Sequence, residues 1–197
     1  MQHPGWILAF HGCDRLVGEK ILAGGNEVLV SANDYDWLGQ GAYFWENSHD
    51  RALSWARFLK ARPVTRKKIK DPFVIGAIID PGNCLDLSEA GCLDILRAAA
   101  SEFFELTAAA GKAPPRNERG FRGDKDLVRR KLDCAVINFL HAVRRQTRQP
   151  AFNTVRCPFM EGGPLYQDAK ITSRTHVQWC VREPKKSVIA YFRPRQR

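Results

Sequence analysis

The sequence predicts a single α+β domain, on three observations. Strand-like apolar runs gather at the two ends of the chain, at 7–10 and 73–79 and again at 152–159, 175–181 and 187–193. Between them lie two long stretches with apolar residues every three or four positions, the helical period. The whole is 197 residues, 44% hydrophobic and 26% charged, enough for one sizeable core and too apolar for disorder.

Each element follows from its own residues. The run at 7–10 ends on His11-Gly12-Cys13, and a short amphipathic segment over 17–22 ends at Gly24-Gly25. Residues 27–30 read as a short strand. A polar turn, 33–36, leads into Gly39-Gln40-Gly41-Ala42-Tyr43-Phe44. Ser48 reads as the N-cap of a helix whose stripe is Ala52, Leu53, Trp55, Ala56 and Leu59, and Pro63 ends it. The FVIGAII run is a buried strand closed by Asp80-Pro81-Gly82. A helix from Ser88 to about Ala110 carries Leu93, Leu96, Ala99, Ala100, Phe103, Phe104 and Leu106 as its apolar positions. Asp124 is expected to cap a third helix, to about Thr147, with Val128, Leu132, Ala135, Phe139 and Val143 toward the core. After it come a strand over 152–159, a loop over 160–174, and two last strands separated by Glu183-Pro184-Lys185-Lys186.

Charge narrows the function. There are 31 Lys and Arg against 21 Asp and Glu, a formal +10. Residues 57–70 hold seven basic side chains and no acid, and residues 114–150 hold ten basic and four acidic. Such density predicts an anionic partner, nucleic acid first. The candidate contacts are Arg66, Lys67, Lys68, Arg129, Arg130, Arg144 and Arg145. The competing reading is a solvated face that keeps the chain soluble. No apolar run approaches the eighteen or so residues a spanning helix needs, so no membrane segment is expected. The N-terminus has neither a basic n-region nor a long apolar core, so no signal peptide is expected, and the six cysteines read as reduced cytoplasmic thiols with no metal-ligand spacing.

A strand ending in His-Gly, then about thirty residues, then Gly-x-Gly-x-Tyr-Phe before a helix resembles the NAD-binding core of the ADP-ribosyltransferases, in the branch shared by diphtheria toxin and the poly(ADP-ribose) polymerases. The family has Ser or Thr where this chain has Cys13. Its late strand presents a glutamate ahead of a turn and a last strand ending in an aromatic pair. Counting back from Tyr191-Phe192 sets Gln178 at that position. The resemblance covers residues 6–60 and 150–193 and implies a split antiparallel sheet with an NAD cleft. The helices between, about 85–150, would then be an insertion in a single domain, 1–197.

What the resemblance implies for the residues can be written as chemistry. Gly12 would bring its main chain to the nicotinamide amide, and His11 would bond a ribose hydroxyl. Tyr43 would stack on the pyridinium, with Gly41 turning the chain ahead of it. Cys13 and Phe44 complete the cofactor set, and residues 33–39 would close over the dinucleotide as a lid. Gln178 would take the place of a carboxylate that stabilises an oxocarbenium-like transition state, keeping the hydrogen bond and losing the charge. Glu161, Asp168 or Glu46 would compensate, with Glu161 the first candidate for a base. The function implied is an NAD-dependent ADP-ribosyltransferase acting on a macromolecule, RNA before DNA. Its setting would be a cytoplasmic toxin or anti-phage effector with an antitoxin protein as a further partner. A protein-modifying transferase, an RNA 2′-phosphotransferase and an inactive NAD- or RNA-binding module stay open beside it.

Overall fold

The structure, a computed structural model, describes residues 5–61 and 69–195. Arg66, Lys67, Lys68 and Pro63 therefore lie outside the described residues. The chain is α+β, as its pattern predicts. Its elements are β1 (Ile7–Asp14), α1 (Arg15–Leu22), β2 (Ala42–Glu46), α2 (His49–Lys60), β3 (Pro72–Ile79), β4 (Cys84–Asp86), α3 (Ala90–Ala109), α4 (Lys131–Gln146), β5 (Thr154–Phe159), β6 (His176–Val181), α5 (Pro184–Ser187) and β7 (Val188–Phe192).

The seven strands form one mixed sheet in the order β4-β5-β6-β2-β1-β3-β7. Among the described residues only the β4–β5 pairing is parallel, so the sheet is not purely antiparallel as expected. β1 pairs with β3 over eight positions, Ile7↔Ile79 to Asp14↔Pro72. With β2 it pairs at only two, Ala9↔Glu46 and Phe10↔Trp45. The sheet is continuous but has a thin seam at its middle.

Alternation along the strands sends successive side chains to opposite faces. One face buries Ala9, Cys13, Phe44, Phe73, Ile75, Ala77, Ile79, Trp179 and Val181 together with Ile21 of α1. The other carries two packings. α2 lies on the β1–β3 side, joining Ala52 to Trp45, Val74 and Phe10. α3 and α4 lie on the β4–β5–β6 side, joining Cys92, Ala99, Ile137 and Leu140 to Leu85, Val155, Phe159 and Cys180.

Several local expectations are corrected. Residues 27–30 form no strand. Val28 is buried, and its N–H donates to the Tyr191 hydroxyl, which donates in turn to Glu27, so the segment is tied to β7 through a side chain instead of a strand ladder. β4, three residues long, gives too short a run to show alternation. Ser48 stands at the N-cap of α2 without a side-chain cap bond. α4 begins at Lys131, because Asp124 is spent on a loop: its carboxylate accepts from Gly120, Asp126 and Val128 N–H at 2.8, 2.9 and 3.0 Å. The buried positions of α4 are Cys134, Val136, Ile137, Leu140 and His141, a stripe rotated from the one expected. On α3 only Cys92 and Ala99 are fully buried, while Leu93, Phe104 and Leu106 face solvent.

Candidate functional site

The two sequence motifs meet at the seam. The Leu8 carbonyl accepts from Asn47 N–H at 3.0 Å, so strand alternation turns the main-chain groups of Leu8, Phe10 and Gly12 toward β2. The β1–β2 ladder ends at Phe10↔Trp45, just before Gly12 would meet Tyr43. There the His11 ring intervenes: its Nδ1–H donates to the Tyr43 carbonyl at 2.8 Å. His11 is half-buried, with Phe44 at 5.7 Å between ring centroids.

Tyr43, Trp45, His176, Gln178 and Cys180 share a face. The register sets this: Trp45 lies opposite Gln178, Tyr43 opposite Cys180, and Gln178 is flanked on its other side by Cys157 of β5. Gln178 is half-buried, and among the described residues its amide makes no hydrogen bond. Its neighbours on that face hold unmet polar atoms. Among the described residues Trp45 Nε1 and His176 Nε2 are buried without a partner, and so is Nε of Arg51 on α2. The His176 Nδ1–H donates to the Arg174 carbonyl at 2.7 Å, which leaves Nε2 as an acceptor. Burial, with the Arg51, Arg174 and Arg130 charges nearby, pushes that imidazole down to about 4.

Other expected residues are committed to the fold. Tyr43 donates its hydroxyl to the Gly39 carbonyl at 2.6 Å and accepts from Leu38 N–H at 2.8 Å, and its burial raises the phenol well above its ordinary pKa. Phe44 is wholly buried. Cys13 faces the core beside Gly18 and Phe73, and burial pushes its thiol up to about 12, so its side chain does not line the seam. Glycine is needed at position 12 because α2 lies on it: a Cβ there would stand 2.0 Å from the Ala52 carbonyl oxygen. At position 41 a Cβ would stand 2.3 Å from the Cys180 sulfur. Both glycines thus answer first to packing.

Glu161 is held by two guanidinium groups, Arg51 at 2.7 Å and Arg174 at 2.9 Å. With one guanidinium on each oxygen, it clamps the 160–174 loop to α2. Glu46 lies on the opposite face, bonded by Arg156 at 2.9 Å and Trp179 Nε1 at 2.7 Å. Asp168 sits in the exposed loop with φ of 62°.

The segment expected as a lid, 33–39, is fastened by the helical insertion. Trp37 Nε1 donates to the Val128 carbonyl at 2.9 Å, Arg130 N–H to the Tyr35 carbonyl at 3.2 Å, and Gln40 N–H to Asn138 Oδ1 at 3.0 Å. Arg129 lies over the Tyr35 ring and Arg130 over Trp37, at 4.9 and 4.2 Å. These two arginines, read from the sequence as nucleic-acid contacts, are used to stack on the lid. A shallow cavity of about 260 Å³ opens beside it, lined by Ala32, Asn33, Gln40, Lys131, Cys134 and Asn138. Sequence reasoning missed this latch, the Trp45 and His176 nitrogens and the Arg51–Glu161–Arg174 clamp. Only the adjacency of His176 and Gln178 by two positions carried a signal, since it fixes a common face.

In comparison with known proteins, no family model matches the chain, and no curated protein matches it.

Proposed function

We propose that this protein is an NAD-dependent ADP-ribosyltransferase whose target is a nucleic acid, RNA before DNA. The observation that carries the reading is the seam. The ladder stops where His11-Gly12 of β1 would meet Tyr43 of β2, and the uncommitted Gln178 amide stands on the same face as Tyr43. The polar groups there match NAD in chemical kind. Trp45 Nε1–H and Arg51 Nε–H are donors and His176 Nε2 is an acceptor, a set that suits a carboxamide or the hydroxyls of a ribose. Gly12 would offer main-chain groups to the nicotinamide amide, and the Tyr43 ring would stack on it.

The chemical step asks for a group that stabilises positive charge developing on the nicotinamide ribose. Gln178 supplies an amide oxygen, a dipole in place of the full charge of a carboxylate. Glu46 and Glu161 are tied to arginines, so neither lends it that charge freely. The formal +10 of the chain supports the anionic target.

The test supplies NAD labelled on its ADP-ribose half to total RNA, DNA and protein from one lysate, at low and moderate salt. Label in RNA that falls with salt, with nicotinamide released in step, is the expected result. Gln178→Ala should lower turnover far more than it weakens NAD binding, and Gln178→Glu should keep or raise it. Label confined to protein would overturn the nucleic-acid target. Absence of nicotinamide release from every mixture would overturn the transferase.

A further inference from the structure

The arginines at the end of α4 divide into one that is spent and one that is not. Arg144 folds back: its Nε and Nη2 donate to the Pro150 carbonyl at 2.8 and 2.6 Å, and its guanidinium lies over Phe152 at 4.2 Å. Arg145 is exposed, and among the described residues its side chain makes no hydrogen bond or ion pair. Arg182, at the end of β6, joins it from another part of the chain. Arg182 Nη1 donates to the Gln40 carbonyl at 3.4 Å, and Gln40 N–H donates to Asn138 of α4 at 3.0 Å. That places Arg182 along the helix within a turn of His141, which shares a face with Arg145 at i, i+4 spacing.

His141 is the second observation. It is 7% exposed, and among the described residues its Nε2 is buried without a partner and no carboxylate is bonded to it. Burial, with Arg182, Arg144 and Arg145 close by, pushes its ring down to about 3. Glu183, next to Arg182 in sequence, is also bonded to Lys186 at 2.5 Å. Arg182 is itself partly desolvated and repelled by Arg145, which lowers its pKa. Two guanidinium groups lie close to a neutral imidazole, and Glu183 is the acid that acts on Arg182. A guanidinium fork with donors left open suits a phosphate, which it bonds through two parallel N–H groups.

We infer that Arg145 and Arg182, beside the buried His141 ring, form a phosphate-binding site whose occupant is the phosphodiester backbone of a nucleic acid. The inference rests on the nucleic-acid reading above and gives it a place. Arg148 beyond α4 and Lys185 on α5 are exposed at the same end, so the basic surface runs on as a chain would. Through Gln40 the site adjoins the loop that leads to Tyr43, and a strand held there is led toward the seam.

The test measures binding of a fluorescent single-stranded RNA oligonucleotide by anisotropy, between 50 and 200 mM salt, with no NAD present. Each phosphate contact contributes about 0.7 to the slope of log affinity against log salt, so Arg145→Gln with Arg182→Gln should flatten the slope by roughly 1.4 and weaken binding several-fold at the low-salt end. The charge-matched pair Lys20→Gln with Lys112→Gln, on α1 and beyond α3, should leave the slope near that of the unaltered chain. Equal losses in both pairs would overturn the site and leave only overall charge. A dinucleotide pyrophosphate is the other source of the same chemistry. If the Arg145 and Arg182 pair raises KM for NAD and leaves RNA binding intact, the backbone assignment is overturned. RNA binding is read without turnover, so a failed transferase reading and a failed phosphate site give different results. Circular dichroism melting confirms that both pairs of variants fold.

Discussion

At the scale of single residues, Tyr43 shows how a motif residue can serve the fold and a ligand at once. Its ring belongs to the face that carries Gln178, while its hydroxyl closes the turn at Leu38 and Gly39. The two roles separate on substitution. Tyr43→Phe keeps a stacking ring and leaves the Leu38 N–H and Gly39 carbonyl without their partner, at a cost of about 2 kcal/mol. Urea denaturation should show that loss, while NAD turnover stays within a few-fold. A turnover collapse in a folded Tyr43→Phe would mean the hydroxyl, not the ring, does the chemistry. Tyr43→Ala is the poorer probe, because it also opens a cavity among Trp37, Leu38 and Cys180. Gly12 teaches the same lesson from the other side. From the sequence it reads as close approach to a cofactor, and the Ala52 carbonyl against its α-carbon explains it equally well.

At the scale of elements, the insertion acts through a loop more than through its helices. Asp124 holds three N–H groups of the 120–128 turn, and that turn presents Val128, Arg129 and Arg130 to Tyr35 and Trp37. Asp124→Ala strands those donors, and the loss of a buried carboxylate's bonds costs about 3 kcal/mol locally. Trypsin should then cut at Arg122, Lys125 or Arg129 much faster than in the unaltered chain, with the sheet intact by circular dichroism. Unchanged cleavage would show that Asp124 is not what holds the turn. None of this was legible in the sequence, where Asp124 before an apolar stripe reads as a helix cap. A cap and a loop tie use the same side chain, and only the partner N–H groups tell them apart. Long periodic runs were legible because burial of one face repeats along them: β1, β3, β6 and the existence of α2, α3 and α4 follow from that. The phase of α4 was not, since Cys134 and His141 face the core while Phe139 turns to Phe103 of α3. The shared face of His176 and Gln178 was readable from spacing, and the Arg51 and Arg174 clamp on Glu161 was not, because it joins side chains far apart in the chain.

At the scale of the whole molecule, an excess of positive charge surrounds two imidazoles that the fold keeps neutral. His176 on β6 is faced by Arg51, Arg130 and Arg174, and Glu161, 3.8 Å away, is already committed to two of them. His141 on α4 is faced by Arg144, Arg145 and Arg182. Their folded pKa values, about 4 and about 3, lie below the ordinary 6.5. Protons therefore bind the unfolded chain more readily, so the stability both rings contribute is complete above pH 6.5 and drains away as pH falls toward 4. The loss should be on the order of a few kcal/mol across that window. Asp14, Asp86 and Asp124 are held below their ordinary range, so their contribution begins to fail only at lower pH. Urea unfolding at several pH values between 7 and 4.5 should show a stability that falls steadily with acid. His141→Gln with His176→Gln should flatten that fall, even where it lowers stability at pH 7. A double variant whose stability drops with pH as steeply as the unaltered chain would place the acid sensitivity elsewhere.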